Sequence, residues 1–204
     1  HDKRTGEDLY PLFKQRFFEL DGTFEPLTRD IFSTFGLFPV PGDTHLCEYL
    51  PWMSDPQTKP WERYNIRLYD WELFEAVRGF QLHRLDEMAK GDATIEGLLN
   101  TDSEGALEMI ENVAGSGSHY HLAANLPNVG QIANLPLGAS VETPVQVNGA
   151  GIHPVHVGAV PEPIAELCRR EITVAQLCVD SVVEGNREKA LQCLLLDPVI
   201  TDID

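Results

Sequence analysis

The spacing of apolar residues predicts two helices near the start of the chain. Leu9, Phe13 and Phe17 recur at helical intervals, so their side chains share one face of the first helix. The second helix has Pro26 in its first turn and Gly36 just past its last residue, and these are the positions that proline and glycine prefer at helix ends. The pattern therefore predicts two consecutive amphipathic helices.

A longer amphipathic helix is predicted from about residue 68 to residue 90, and a shorter one follows it. Asp102 or Ser103 is the expected cap of the shorter helix, and Gly115 is its expected end. Four apolar residues are expected to form the buried face of the longer helix: Leu73, Val77, Phe80 and Leu85.

The pattern changes after Gly115, where short runs of β-branched residues alternate with Gly and Asn-Pro turn signals. The segments VETPVQV and HPVHV are typical of strands, and the region predicts two to four antiparallel strands. Helical spacing returns from Pro161 onward. The order of elements predicts an α+β fold in which helices flank a small antiparallel sheet.

Composition narrows the possible partners. The 204 residues fit one ordinary domain or two small ones. A formal net charge of -17 argues against nucleic acid and anionic membranes, because both are negatively charged. The four cysteines form no Cys-x-x-Cys pair, so we expect buried free thiols and a cytoplasmic setting.

The first candidate site is the segment GDTHLCEYLPW, residues 42–52, which collects several groups able to exchange protons. Nearby prolines place His45 at the junction of a loop and a helix, where backbone N–H groups and a side-chain base can meet a ligand. The alternative is structural: Asp43 or Thr44 merely caps a helix, Glu48 is exposed and Tyr49 is packed.

The second candidate site is NLPNVGQIANLP, residues 125–136. Its asparagines, Asn125, Asn128 and Asn134, both donate and accept hydrogen bonds, which suits sugar hydroxyls. The alternative is turn formation, since Asn, Gly and Pro are also the residues that turns prefer. Two further histidines, His119 and His121, share one face of a predicted strand, but no third metal ligand stands at an obvious spacing.

The two candidate segments occur in the same order in family 4 of the glycoside hydrolases. FPVPGDTHLCEYLPW resembles the segment in which that family places a His or Tyr before an acidic residue, a Tyr and a Pro. NVGQIANLPLGASVETPVQV resembles the family's Asn-x-Gly-x-Ile-x-Asn-Leu-Pro signature, and the likeness continues to LLLDP near the end. The chain is most similar to the α-glucosidase, α-galactosidase and α-galacturonidase branch.

The resemblance implies an unusual glycosidase reaction that depends on NAD. The sugar is oxidised at C3, a divalent metal, usually Mn²⁺, polarises the new carbonyl, and a base removes the C2 proton. The glycosidic oxygen leaves, water adds, and the hydride returns. The family's N-terminal Rossmann domain, with the residues that hold NAD and metal, lies outside residues 1–204, so this chain resembles the C-terminal domain, which is similar in fold to that of lactate dehydrogenases.

The resemblance also implies roles for individual residues. His45 is the expected base at C2, and Asp43 is the rival base or the group that orients it. Four residues are expected to contact the small glycoside substrate or to hold its loop: Glu48, Tyr49, Asn128 and Asn134. No residue of the chain is expected to bind NAD or the metal, and the chain alone is expected to be inactive. The alternative function is a non-catalytic carbohydrate-binding or interaction domain derived from the family.

Assembly is the last expectation from the sequence. Members of the family form dimers or tetramers, and the first two helices are rich in phenylalanine. We expect a homodimer or homotetramer in which these helices, or the helix near Phe80, meet a partner. The alternative is that the six phenylalanines serve one internal core: Phe13, Phe17, Phe18, Phe24, Phe32 and Phe35.

Overall fold

The computed structural model describes residues 1–2, 4–67, 69–100 (without the side chains of 99 and 100), 105–115 and 117–200. The chain divides into two compact units. One contains His1–Leu68 and Pro161–Asp204, and the other contains Tyr69–Val160.

The first unit opens with the two predicted helices, α1 (Tyr10–Glu19) and α2 (Pro26–Phe35). Gly36 ends α2 in the left-handed conformation with a φ of 81°, which confirms the predicted stop. Two short helices follow, α3 (Gly42–Leu46) and α4 (Pro60–Arg63), with 3₁₀ turns at Cys47–Tyr49 and Pro51–Met53 between them.

An aromatic cluster joins α1 to α2. Phe17 and Phe32 are buried at its centre, with their ring centroids 5.7 Å apart in an edge-on arrangement. Phe13, Phe18 and Phe24 each contact one or both of these rings, although Phe13 and Phe24 remain 40% and 53% exposed. Most of the phenylalanines considered for an interface are therefore in contact within the unit.

A second apolar cluster lies beneath α3. Five residues of α2, α3 and the segment after them form it, and all are less than 9% exposed: Leu27, Leu46, Leu50, Met53 and Ile66. This cluster fixes the segment that contains the first candidate site.

The second unit contains α5 (Trp71–Lys90), a 3₁₀ turn (Glu96–Asn100) and α6 (Ala106–Ala114). Asp70 caps α5, because its carboxylate accepts a hydrogen bond from the Leu73 backbone N–H at 3.0 Å. The predicted cap of α6 at 102 or 103 lies outside the described residues. The predicted buried face of α5 is wrong, since its four residues, Leu73, Val77, Phe80 and Leu85, are 45–67% exposed.

A three-stranded antiparallel sheet completes the second unit, in the order β1 (Ser118–Pro127), β2 (Ser140–Asn148) and β3 (Gly151–Pro154). The central strand β2 alternates strictly, with Val141, Thr143, Val145 and Val147 buried. This alternation is the sequence signal that predicted a strand, and the α+β prediction is confirmed.

The chain then returns to the first unit with α7 (Glu162–Val183) and α8 (Arg187–Leu196). All four cysteines are free, as expected. Burial raises the pKa of the Cys47 and Cys168 thiols. The expectation of buried thiols is nevertheless wrong, since Cys47, Cys168 and Cys193 are half-buried and Cys178 is exposed. Across the described residues, we find no helix whose length and apolar character would let it span a membrane.

Candidate functional site

Asp43 anchors the first candidate segment. It lies in α3 and is 8% exposed, and its two carboxylate oxygens accept hydrogen bonds from the backbone N–H groups of Leu27 and Thr28, at 3.0 and 2.7 Å. These are donors of the first turn of α2, which no intrahelical carbonyl can satisfy. The structural alternative expected Asp43 or Thr44 to cap the helix in which they lie, and this is wrong. Asp43 caps the neighbouring helix α2, and α3 has no side-chain cap.

Glu25, which directly precedes α2, binds the backbone of α3 in turn. Its carboxylate accepts a hydrogen bond from the Asp43 backbone N–H at 2.6 Å, so the start of α2 and the start of α3 brace each other. Gly42 permits this approach, since a Cβ there would lie 3.2 Å from the Glu25 Oε2 and its φ is +75°. Glu25 itself has a φ of 46°, which is uncommon for a residue with a long side chain.

His45 lies two residues after Asp43, and its side chain faces solvent. Its side chain is 63% exposed, and its Nδ1 lies 3.5 Å from the Glu48 Oε2. A carboxylate beside Nδ1 favours the tautomer with the proton on that nitrogen. The Nε2 lone pair then points away from Glu48 and is available to a proton or a ligand.

Tyr49 is held by its backbone. The Arg170 guanidinium, on α7, donates a hydrogen bond to the Tyr49 carbonyl at 2.6 Å. The Tyr49 side chain is 42% exposed, so the ring is not packed as the structural alternative expects. Arg170 escaped the sequence analysis because 121 residues separate it from Tyr49, and no local pattern links them.

A cavity of about 610 Å³ lies within the first unit, and Glu25 and Asp43 form part of its wall. Burial and a hydrogen bond to Asp30 raise the pKa of Tyr64, one of its lining residues. Its wall combines the loop before α2, the start of α3 and the segment after α4: Gly22, Thr23, Glu25, Pro26, Asp43, Thr44, Arg63, Tyr64, Asn65, Ile66 and Arg67.

Asn128, of the second candidate segment, lies in the second unit and is 1% exposed. Its amide nitrogen donates to the carbonyls of Ile132, Leu135 and Pro136, and its oxygen accepts from the N–H groups of Gly130 and Ile132. The side chain is therefore an internal support of the loop, as the turn alternative expects.

Asn134 serves the same loop. Its amide donates to the Val160 carbonyl at 2.8 Å, and its oxygen accepts from the Val160 N–H at 3.0 Å. Gln131, which the sequence analysis missed, is fully buried and binds the backbone of Pro127 and Val129 in the same manner. The three side-chain amides hold the loop between β1 and β2 through hydrogen bonds to backbone N–H and C=O groups. The residue type alone does not show whether such an amide binds the backbone or a sugar.

The structure thus brings Asp43, His45, Glu48 and Tyr49 together in one unit, and Asn128 and Asn134 in the other. His121 contacts Asn112 at 3.1 Å through its Nε2. Within the part of the chain that the structure describes, no three His, Cys, Asp or Glu side chains are grouped closely enough to hold a metal ion.

The comparisons with known proteins agree with the sequence motifs. Residues 1–200 match the family model described as the family 4 glycosyl hydrolase C-terminal domain. An alpha-galacturonidase of Bacillus subtilis is 26% identical over 209 residues, which are 95% of this chain and 46% of the relative. An alpha-galactosidase of Rhizobium meliloti is 29% identical over 95% of this chain and 39% of its own length. The chain spans less than half the length of both relatives.

Solved structures match as well. A Bacillus subtilis structure described as a glucosidase has a TM-score of 0.80 and 26% identity, and the match covers 98% of this chain and 48% of the other. A 6-phospho-alpha-glucosidase from gut microorganisms, solved in complex with NAD and Mn²⁺, has a TM-score of 0.65 over 99% of this chain and 48% of its own. Its identity is 22%, and this second likeness concerns the fold alone.

Proposed function

Because the chain belongs to the family 4 glycosyl hydrolases and corresponds to their C-terminal domain, we propose that it forms the sugar-facing portion of an NAD-dependent glycosidase. The substrate is a small O-glycoside. The NAD-binding half is a Rossmann domain outside residues 1–204, which also supplies metal ligands, so we expect the chain alone not to turn over substrate.

The proposed reaction makes an unreactive C–H bond acidic. NAD, bound by the other domain of the full-length protein, would supply the hydride acceptor for C3, and a carbonyl at C3 would lower the pKa of the proton on C2. An ordinary side chain can then remove that proton. Elimination of the glycosidic oxygen and addition of water complete the hydrolysis. The described residues do not by themselves form a metal site. The proposed contribution of this chain is therefore a proton-transfer group.

We assign the C2 proton to the Nε2 of His45. The observation that carries this assignment is the exposed imidazole with Glu48 beside its Nδ1. In that tautomer, Nε2 is an acceptor, and a neutral imidazole takes up a proton readily near neutral pH. Glu48 then stabilises the imidazolium that forms.

Asp43 is the weaker candidate for the base. Both of its oxygens accept backbone hydrogen bonds from α2, and protonation of either oxygen would disturb the cap. Its proposed role is to hold α3, and with it His45, against the start of α2. Asn128 and Asn134 are the weaker candidates for sugar contacts, because their amides bind backbone groups of their own loop.

The same geometry favours a second role for His45, as a ligand to the metal. Histidines that bind metals commonly donate their other ring N–H to a carboxylate, which is the relation between His45 and Glu48. Both roles use the Nε2 lone pair, so both predict loss of turnover when His45 is replaced. Only a metal ligand also predicts loss of metal affinity.

The test is His45→Ala in the full-length protein that contains this chain. If His45 is the base, turnover falls by about 10²–10⁴-fold, while affinity for NAD and Mn²⁺ stays within about twofold. The matched control is His83→Ala, because His83 is exposed and has Glu87 at 3.7 Å on a different helix. Loss of Mn²⁺ affinity together with turnover identifies a ligand, and turnover within tenfold of the unmodified protein contradicts both roles.

A further inference from the structure

Two thiols face each other across the hairpin of α7 and α8. Only Glu184, Gly185 and Asn186 separate the two helices, so the helices run antiparallel and pack against each other. In such a hairpin, residues at similar distances from the turn lie opposite one another. Cys178 lies seven residues before Gly185 and Cys193 lies eight residues after it, which places the two cysteines opposite each other.

Contacts between the two helices agree with this pairing. On one side of Cys178, the Cys193 Sγ donates a hydrogen bond to the Val174 carbonyl of α7, at 3.4 Å. On the other side, the Lys189 Nζ of α8 lies 3.3 Å from the Asp180 Oδ2. Burial raises the pKa of the Cys193 thiol, and the adjacent Cys178 thiol raises it further. The two sulfur atoms are therefore neighbours.

The packing of the helices suits a bond between these sulfur atoms. Packed helices have axes about 8–10 Å apart, which brings facing Cα atoms within the roughly 4–7 Å that a disulfide spans. The two thiols differ in access, since Cys178 is exposed and Cys193 is half-buried. A reagent in solution therefore reaches Cys178 first, and Cys193 is held beside it as a second thiol.

We propose that Cys178 and Cys193 form a reversible oxidation site, in which the exposed thiol reacts with a small disulfide and its half-buried neighbour displaces the adduct. The Cys178 thiolate attacks one sulfur of the small disulfide, so that a mixed S–S bond forms and the other half leaves as a thiolate. The Cys193 thiolate then attacks the Cys178 Sγ, and the second half leaves. The two protein thiols lose two electrons and two protons, which convert the small disulfide to two thiols.

The disulfide would close a short loop across the hairpin. Such a link restricts the unfolded chain and therefore stabilises the folded unit. The first half of α7 carries Arg170, which binds the Tyr49 carbonyl of the first candidate segment, and the link would hold the second half of the same helix. The oxidation site lies wholly within the first unit and does not require glycosidase activity.

The experiment treats the full-length protein with oxidised glutathione, alkylates the remaining thiols and maps the tryptic peptides by mass spectrometry. Trypsin cleaves after Arg187 and Lys189, so it separates the two cysteines into different peptides. A disulfide between these two peptides is expected, and dithiothreitol is expected to remove it. The linked protein is expected to unfold at a temperature higher by about 3 °C or more.

Two variants separate the roles of the thiols. Cys193→Ser is expected to retain glutathione on Cys178, because no second thiol displaces the adduct. Cys178→Ser is expected to lose the link and to gain no adduct on the half-buried Cys193. Cys168→Ser is the matched control, since Cys168 is another half-buried thiol of α7, and it is expected to form the link as the unmodified protein does.

Glutathione that stays on Cys178 of the unmodified protein without a link overturns the proposal, as does a folded protein in which neither thiol reacts. A disulfide that joins Cys178 of two chains also overturns it. A linked form no more stable than the reduced protein would show that the bond distorts the hairpin, and would contradict a built-in site. The peptide map of the unmodified protein decides the outcome even where a serine variant does not fold.

Discussion

At the residue scale, reciprocal hydrogen bonds between the first turns of α2 and α3 hold the first candidate segment. Asp43 satisfies two N–H groups of α2, and Glu25 satisfies the N–H of Asp43. Each acidic side chain sits near the positive end of a helix, where negative charge is stabilised. These hydrogen bonds fix the start of α3 and therefore the position of His45.

Asp43→Ala is expected to lower the free energy of unfolding by about 1–2 kcal/mol, because the first turn of α2 loses its cap. Burial of the two amides places the loss near the upper end of that range. Urea denaturation of the purified protein measures it. Thr44→Ala, at an exposed neighbouring position, is the control, and equal stability of the two variants would contradict the capping role.

At the element scale, the loop between β1 and β2 is supported by side chains instead of regular secondary structure. Asn128 alone makes five hydrogen bonds to backbone groups. Buried polar groups that lose their partner each cost about 1–3 kcal/mol, so the loop depends on this one amide more than on any turn preference.

Asn128→Ala is therefore expected to destabilise the protein by roughly 3 kcal/mol, while sugar affinity below the unfolding transition stays unchanged. Asn125→Ala, at an exposed position of β1, is the matched control and is expected to change stability by less than about 0.5 kcal/mol. Thermal unfolding and titration with sugar separate the two effects. A variant with native stability and weakened sugar binding would instead make Asn128 a substrate contact.

The sequence predicted elements better than it predicted their environment. Helix ends at Gly36 and the alternation of β2 depend on local chemistry, and both are as predicted. The buried face of α5 was wrong, because helical periodicity shows which residues share a face but not whether anything covers it. The hydrogen-bond partners of Asp43 lie 15–16 residues away and those of Asn128 lie 2–8 residues away. The sequence does not reveal these partners, because the same residue types suit caps, turns and ligands alike.

At the scale of the whole molecule, α5 exposes a continuous set of apolar residues, with Phe80 67% exposed. Surfaces of this kind are common at subunit interfaces. We propose that the full-length protein is a cytoplasmic homodimer or homotetramer and that α5 contributes to the contact. The buried Phe17 is a poor probe of that interface, because a charge there would disrupt the aromatic cluster.

Phe80→Asp is expected to convert the full-length assembly to monomers at tens of micromolar, since an unpaired charge in an apolar interface is costly to desolvate. Light scattering measures the mass in solution. Gln81→Asp, exposed on the same helix, controls for the added charge and is expected to leave the assembly intact. A monomeric unmodified protein, or an unchanged mass for Phe80→Asp, removes the interface proposal.

We propose that the full-length protein containing this chain breaks and remakes the C2–H bond of the sugar. Hydrolysis in D₂O by the full-length protein, with NAD and Mn²⁺, tests this most directly, because a proton removed at C2 is replaced from solvent. We expect one deuterium at C2 of the released sugar, seen by NMR, and substrate turnover that requires NAD. Hydrolysis with no deuterium at C2 would indicate direct displacement at C1 and would contradict proton removal at C2.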